Sequence, residues 1–333
     1  MSPLNQLKST RDHSTPGIFL SIARVADTDR VIVGAADAKL YEYDLAAEKP
    51  EPTPFADGHG SYVTGVAWTP SAVVSGSYDG KLIWWDADRK PIRSVDAHAK
   101  WIRRVVASPD GKLVASVSDD MLGKVWDAES GELRHTLADH LAITPHHYPS
   151  MLYALAFSHD GRWLATGDKV GHVVIWDVPT GAKVAAVESP GMYTWDPKQR
   201  RHSIGGIRSL AFSRDGRTLA VGGVGQIGNI DHLDGPARVE LFDWQSGKSQ
   251  KELADTKLKG LVEQLWFSPD DQWLITAGGD NSGFLTIYDA KDGKLAQQEK
   301  AQQHLHGFVP NAAGDQLATA HHGRLMVWSL RAE

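Results

Sequence analysis

Residues 62–86 read YVTGVAWTPSAVVSGSYDGKLIWWD, and residues 101–127 repeat the same grammar as WIRRVVASPDGKLVASVSDDMLGKVWD. An alternating apolar run comes first, then a turn, then a second run of small and apolar residues. Another turn and a third run ending in Trp-Asp complete the pattern, which residues 152–177 follow again as LYALAFSHDGRWLATGDKVGHVVIWD. Asp-Gly between two alternating runs is the strongest short-range hairpin signal, because both residues tolerate the left-handed backbone that a tight turn requires. A fourth run follows a further turn, as in Ser130-Gly131-Glu132 before LRHTL and Pro179-Thr180-Gly181 before AKVAAV. Each unit therefore reads as a four-stranded antiparallel meander.

Working outward, an apolar strand ends in an aromatic residue plus Asp or Ser seven times: Tyr43-Asp44, Trp85-Asp86, Trp126-Asp127, Trp176-Asp177, Phe242-Asp243, Tyr288-Asp289 and Trp328-Ser329. Successive second positions are 42, 41, 50, 66, 46 and 40 residues apart. A period near 40–45 residues ending in Trp-Asp marks a propeller blade, a unit that cannot bury its faces alone. The expectation is an all-β chain: a seven-bladed β-propeller of four-stranded antiparallel blades. Residues 1–333 form one domain, with blades over about 18–330 and an N-terminal segment 1–17. The last unit has no fourth strand of its own, and Leu4–Ser9 has no blade, so the N-terminal strand is expected to complete the last blade and close the ring. Closure removes the sheet edges that otherwise invite aggregation.

Over nearly its full length the chain resembles a WD40-repeat β-propeller. That resemblance implies a buried tetrad in each blade: His before the first strand, Ser or Thr in the second, Asp in the next turn and Trp in the third. Two units carry the full set, His59, Ser75, Asp79 and Trp85, then His98, Ser116, Asp120 and Trp126. The others depart from it. The first offers His13, Asp37 and Tyr43 with Val33 at the hydroxyl position, and the fourth has His140, Thr166 and Trp176 with its Asp displaced to Asp168. The fifth has Phe242 for Trp, the sixth has Thr276, Asp280 and Tyr288, and the seventh has Thr319 and Trp328 with His322 where Asp is expected.

Composition narrows the function classes. A net charge of −6 supplies no global positive field for nucleic acid or anionic lipid. The chain has no cysteine, which excludes disulfides, thiolate metal sites and cysteine catalysis. Met1 to Gly17 lacks an apolar leader core, and no run approaches the ~20 apolar residues that span a bilayer, so a cytoplasmic protein is expected.

No nucleophile elbow, HExxH or Walker A sequence occurs, and the Asp-Gly pairs are turn formers; no catalytic residue and no cofactor are assigned. Residues 223–228, GVGQIG, match GxGxxG, but the Gly- and Pro-containing stretch behind them does not build the helix that a dinucleotide needs, so they read as an interstrand loop.

The long intervals locate three insertions: 141–150, 188–206 and 223–237. In this architecture fourth-to-first and second-to-third connections share one face, so all three are expected on a common rim. They carry Tyr148, Met192, Tyr193, Trp195, Lys198, Arg200 and Arg201, and aromatic and Arg residues on Pro-stiffened loops suit interface anchors. Tyr62, Tyr78, Trp101 and Asp119 fall at matching positions toward the same face. The expected function is a non-enzymatic scaffold holding a protein or peptide partner through Tyr148, Tyr193, Trp195, Arg200, Arg201, Tyr62, Tyr78 and Trp101. The alternative is a metal-binding or metal-dependent site built from His146, His147, His202 and His232, with Asp231 and Asp234 nearby. The pairs His304/His306 and His321/His322 are not natural chelates by themselves.

Overall fold

The structure, a computed structural model, describes residues 6–198, 202–228, 233 and 235–331, and only the backbone at 254–256. Local turn chemistry builds its sheets. Ser108 Oγ donates to Asp110 Oδ1 (2.6 Å), which also accepts from Lys112 N (3.1 Å), while Leu113 N donates to Ser108 Oγ (2.9 Å). Gly111 takes the left-handed position at φ +69°. Ser158/Asp160/Gly161 and Ser213/Asp215/Gly216 repeat this turn, and Ser268/Asp270 repeats it with Asp271 at φ +55° in the glycine's place.

Five four-stranded antiparallel sheets result. Sheet I covers 63–96, sheet II 102–137, sheet III 152–188, sheet IV 207–259 and sheet V 261–301. Each lies between two neighbours, so both faces of its middle strands are buried. Trp84 and Trp85 point to opposite faces, yet both are under 2% exposed: Trp84 packs with Ile102, Val105 and Trp126 of sheet II, Trp85 with Ile32 and Leu40. Burial on both faces explains why these strands are almost wholly apolar.

The remaining strands form one six-stranded sheet, in the spatial order Leu305–Pro310, Gln316–Ser329, Lys8–Arg24, Arg30–Ala35, Leu40–Asp44, Thr53–Pro54. Seven separate four-stranded sheets are expected from the sequence; the described residues give six blade-forming sheets and a small hairpin, Tyr193–Asp196 with His202–Gly205. The reason is that the N-terminal strand does not stop between the two units it serves. Lys8 to Ser14 pairs with Ser329 to Arg324, and after a register shift between Ser14 and Ile18 the same strand pairs Phe19–Arg24 with Ala35–Val31. The closing segment thus lies later than the expected Leu4–Ser9, whose first two residues fall outside the described residues. Leu7 is buried beside Trp328 and Leu330.

The composite sheet is not flat. Trp328 Nε1 donates to Thr319 Oγ1 (3.1 Å), although nine residues of extended strand would separate them by roughly 30 Å. The Gln316–Ser329 segment therefore doubles back, at Gly323 with φ +69°. Its two halves face each other as blades do: Phe19, Val31 and Val33 pack on Ala318, Ala320, Leu325 and Val327.

The first strand of every unit shares one irregularity. Register shifts skip Leu20, Thr64, Arg103, Tyr153, Arg208, Glu263 and His306, each next to the start of its pairing with the second strand. A bulge re-aims the extra side chain. All seven skipped residues line one central cavity of about 630 Å³.

Candidate functional site

The tetrads tie the second strand of a sheet to the loop that enters it. Asp79 only accepts, so His59 Nδ1 carries its proton toward Asp79 Oδ2 (3.0 Å). Trp85 Nε1 only donates, to Ser75 Oγ (2.8 Å), and the Ser75 hydroxyl then donates to His59 Nε2 (2.7 Å). Burial alone would raise the Asp79 pKa, but the His59 and backbone hydrogen bonds hold it down to about 2. In sheet II the distances are 3.0 Å for His98–Asp120, 2.8 Å for His98–Ser116 and 3.1 Å for Trp126–Ser116. Burial pushes the His98 pKa down against the pull of Asp120.

The displaced Asp168 also reaches its histidine. His140 lies 2.9 Å from Asp168 and 2.8 Å from Thr166, which accepts from Trp176 at 2.9 Å. In the last unit, where His322 takes the place of the tetrad Asp, it is the neighbouring His321 that stands beside Thr319 (2.7 Å), and strand alternation turns the two histidines to opposite sides. In the first unit Asp37 accepts from Tyr41 (2.6 Å), and His13 sits opposite Leu325 on the closing strand.

The three insertions meet. His146 stacks on Trp195 (centroids 4.4 Å apart, 8° between planes) and its Nδ1 lies 3.0 Å from the Tyr193 hydroxyl. Tyr148 is tilted against Trp195 at 5.5 Å and makes an edge contact with His202 at 5.4 Å. The third insertion joins through Gln226 Nε2, which donates to Gly191 O and Tyr193 O (3.2 and 3.0 Å), and through Ile227 N, which donates to Thr194 Oγ1 (3.0 Å).

The GxGxxG stretch serves this packing. Gly223 leaves no room for a Cβ against Gly206 O and Met192 Sδ, and the strand Thr218–Val224 leads into non-helical residues 225–227. His147 is exposed in a left-handed turn, the His146 ring is stacked on Trp195, and the His202 ring meets Tyr148 edge-on. Among the described residues no group of three or more His, Asp or Glu side chains is placed to hold a metal ion. Arg200, Arg201, Asp231, His232 and Asp234 lie outside the described residues.

A second cluster stands at the channel mouth. Tyr78 stacks on Trp101 (4.5 Å, 4°), with Tyr62 5.7 Å from Tyr78; Tyr62 and Trp101 are half exposed. Arg103 donates to both carboxylate oxygens of Asp119 (2.8 and 2.6 Å) and to the Tyr78 hydroxyl (2.5 Å). Tyr153 lies between two guanidinium groups, Arg103 at 5.2 Å and Arg208 at 3.6 Å from its ring centre. Across the channel Glu263 lies 3.5 Å from His304 Nε2, and the His304 and His306 rings are 4.4 Å apart. Burial opposes ionisation of Glu263, yet His304, Arg208 and His306 hold its pKa to about 2.

Sequence reasoning found Tyr62, Tyr78, Trp101 and Asp119, and missed Arg103, Tyr153, Arg208 and Glu263. The usable signal was positional: all four occupy the same place near the start of a first strand.

Four segments, 51–86, 89–127, 132–177 and 248–285, match the family described as WD domain, G-beta repeat. These four segments are WD40 repeats, and the chain that carries them folds as a β-propeller. Among curated proteins, this WD40 chain is 27% identical over 226 residues to WD repeat-containing protein SL1-17 of Schistosoma mansoni, covering 67% of the chain and 63% of that protein. It is 25% identical to eukaryotic translation initiation factor 3 subunit I of Candida albicans, over 64% of the chain and 54% of the relative. To small ribosomal subunit protein RACK1y of Oryza sativa it is 29% identical, over 50% and 46%. The chain thus spans less than two thirds of the length of each of these relatives. All three are eukaryotic proteins, so the comparisons lend no support to the bacterial source that the regularity of the repeats suggests. Among the described residues, no helix is long and apolar enough to cross a membrane.

Proposed function

We propose that this propeller is a non-enzymatic scaffold that holds a protein or peptide partner on the loop face bearing the insertions 141–150, 188–206 and 223–237. The observation that carries the reading is the joining of all three insertions around Trp195, with Tyr148, Tyr193 and Trp195 left half-buried rather than enclosed. Rigid aromatic anchors of this kind bury large area at small entropic cost once a partner covers them. Leu141 and Ile143, 74% and 52% exposed, extend the apolar surface beside them. WD40 relatives named as a translation factor subunit and a ribosomal subunit protein belong to assemblies, which agrees with a binding role.

The same reading takes 1–333 as one seven-bladed domain. Its support is the seven recurrent bulges and the apolar core between the two halves of the composite sheet, which on this reading counts as two blades sharing the strand Lys8–Arg24. The test is capture of a partner by the wild type and by Tyr148→Ala/Trp195→Ala. Loss of capture with an unchanged melting temperature is expected. Capture retained by the double variant would move the docking surface off the insertions.

A further inference from the structure

The sequence holds seven Asp-Gly pairs, six of them within the described residues: 57–58, 79–80, 110–111, 160–161, 215–216 and 292–293. Asp-Gly is the pair in which a backbone amide most easily attacks the preceding carboxyl, because glycine adds no side chain to crowd the ring that forms. In five of the six the fold blocks both partners of that attack. Gly80, Gly111, Gly161, Gly216 and Gly293 each donate their N–H to a carbonyl three or four residues earlier, at 2.8–3.0 Å. The aspartate before each of them accepts the backbone N–H two residues on, at 2.9–3.1 Å.

Asp57-Gly58 is the exception. It lies in the connection between the strands Thr53–Pro54 and Val63–Trp68, and Gly58 is exposed. Among the described residues the Gly58 N–H donates to no acceptor, and the Asp57 carboxylate accepts no backbone N–H. An ion pair with Lys39 at 3.5 Å leaves the Asp57 side chain 90% exposed. Its surroundings are nevertheless fixed. Ala56 N donates to Arg89 O (3.0 Å) on one side; on the other, His59 holds Ser75 and Asp79, and Gly60 N donates to Asp79 Oδ2 (2.9 Å). Gly58 passes so close to the tetrad that a Cβ there would lie 2.5 Å from Trp85 Cη2. Asp57 and Gly58 are therefore a short free span between anchored points, directly before a tetrad histidine.

We propose that Asp57-Gly58 is a site of β-aspartyl formation and, once converted, a substrate for a β-aspartyl carboxyl methyltransferase. Gly58 N bonds to Asp57 Cγ as a Cγ–Oδ bond breaks, and the amide proton and the carboxyl hydroxyl leave together as water. The product is a succinimide, to which water adds back at one of two carbonyls. Opening at Cγ restores the original chain. Opening at the main-chain carbonyl leaves Gly58 attached through Cγ, so the main chain gains one methylene and Asp57 carries a free α-carboxylate, with no net change in atoms. The extra carbon cannot move inward, where Trp85 lies against Gly58, so His59 shifts and the tetrad of sheet I weakens. The proposal goes beyond the scaffold reading and does not rest on it.

The test holds the full chain at physiological temperature and mildly acidic pH for weeks. The protein is then labelled with S-adenosylmethionine and a β-aspartyl carboxyl methyltransferase, which methylates the freed α-carboxylate, and the label is mapped by peptide mass spectrometry. Asn281-Ser282 reaches the same linkage by losing ammonia, and its mass gain tells it apart. Label at Asp57 is expected to exceed that at each of the five locked pairs about tenfold or more, since those react only when their hydrogen bonds open. Asp57→Glu keeps the charge but requires a larger ring and should remove the label there. Asp57→Asn forms the same succinimide by releasing ammonia and should label faster than wild type. Aged wild type should melt about 2 °C or more below aged Asp57→Glu.

No label at Asp57, label spread evenly over the six pairs, or label at residue 57 that persists in Asp57→Glu would overturn the site. Label confined to Asp57 with equal melting of the two aged proteins would confirm the site and overturn the weakening of the tetrad.

Discussion

Sheets I, II and III differ from the composite sheet in how their strands are tied. The three sheets each hold a continuous Trp–Ser/Thr–His–Asp chain in which every donor has an acceptor. In the composite sheet the corresponding chain is broken: Thr319 connects Trp328 to His321, but His321 ends on the carbonyl of Gln303, and buried His13 Nε2 has no partner among the described residues. The apolar faces are equally buried in both regions, so the ring stands with or without the tetrad. The polar chain adds local rigidity where it is complete, and the closing seam depends on strand pairing.

Removing residues 6–14 attacks the seam where it has least else to hold it, and gives the largest expected effect. The Arg324–Ser329 half of the strand Gln316–Ser329 loses its partner, Trp328 loses the cover of Leu7, and the melting temperature should fall by more than about 10 °C. A fall of the size of ordinary tail removal would show that the seam does not limit stability.

Acid should act on the same seam first. Burial holds the His306 pKa to about 3 and that of His321 to about 4, while the unfolded groups titrate near 6.5. Below that value the unfolded chain binds protons that the folded chain refuses, so stability is lost as pH falls from about 6.5 toward 4. His304 runs the other way: its bond to Glu263 outweighs burial and raises its pKa, and that contribution is lost as pH rises. Asp79 at about 2 keeps its charge throughout this window. Hydrogen exchange at pH 4.5 should therefore open residues 305–328 before residues 63–96, although His98, also lowered by burial, will soften sheet II to a smaller degree. Uniform loss of protection would contradict the contrast.

A pair of isosteric changes measures the tetrad itself. Thr166→Val leaves buried His140 and Trp176 without their shared hydroxyl and should cost about 1–3 kcal/mol in urea denaturation. Thr286 in sheet V is fully buried and its hydroxyl has no partner among the described residues, so Thr286→Val should be neutral within about 0.5 kcal/mol or stabilising. Similar costs for both would show that the hydrogen-bonded chain contributes nothing beyond burial. The smallest effect belongs to Asp271→Gly, which relieves a left-handed aspartate at φ +55° but loses its bonds from Arg214 N (2.7 Å) and Asp215 N (3.1 Å). A net change within about 1 kcal/mol is expected in the same assay.

Most of the fold was legible because strand, turn and repeat are local matters. The Ser-x-Asp-Gly turns and the Trp-Asp endings each sit within one unit, and Asp168 was identified as the displaced tetrad member. The candidate site was legible only in part. The meeting of insertions 141–150 and 188–206 followed from the rule that such connections share a face, but which ring stacks on which did not. That His321 would face Thr319 was not legible, because a single residue of register decides which of two neighbouring histidines does so.

The chain's own order of residues determined a circular array of four-stranded units, since period, turn residues and apolar alternation need nothing beyond neighbours in sequence. Tertiary structure alone decided that one unbroken strand serves two units, and that Arg103, Tyr153, Arg208 and Glu263 share one channel. Those four come from four different units and converge only when the ring forms, so the charge between them is a property of the assembled ring and of no single unit.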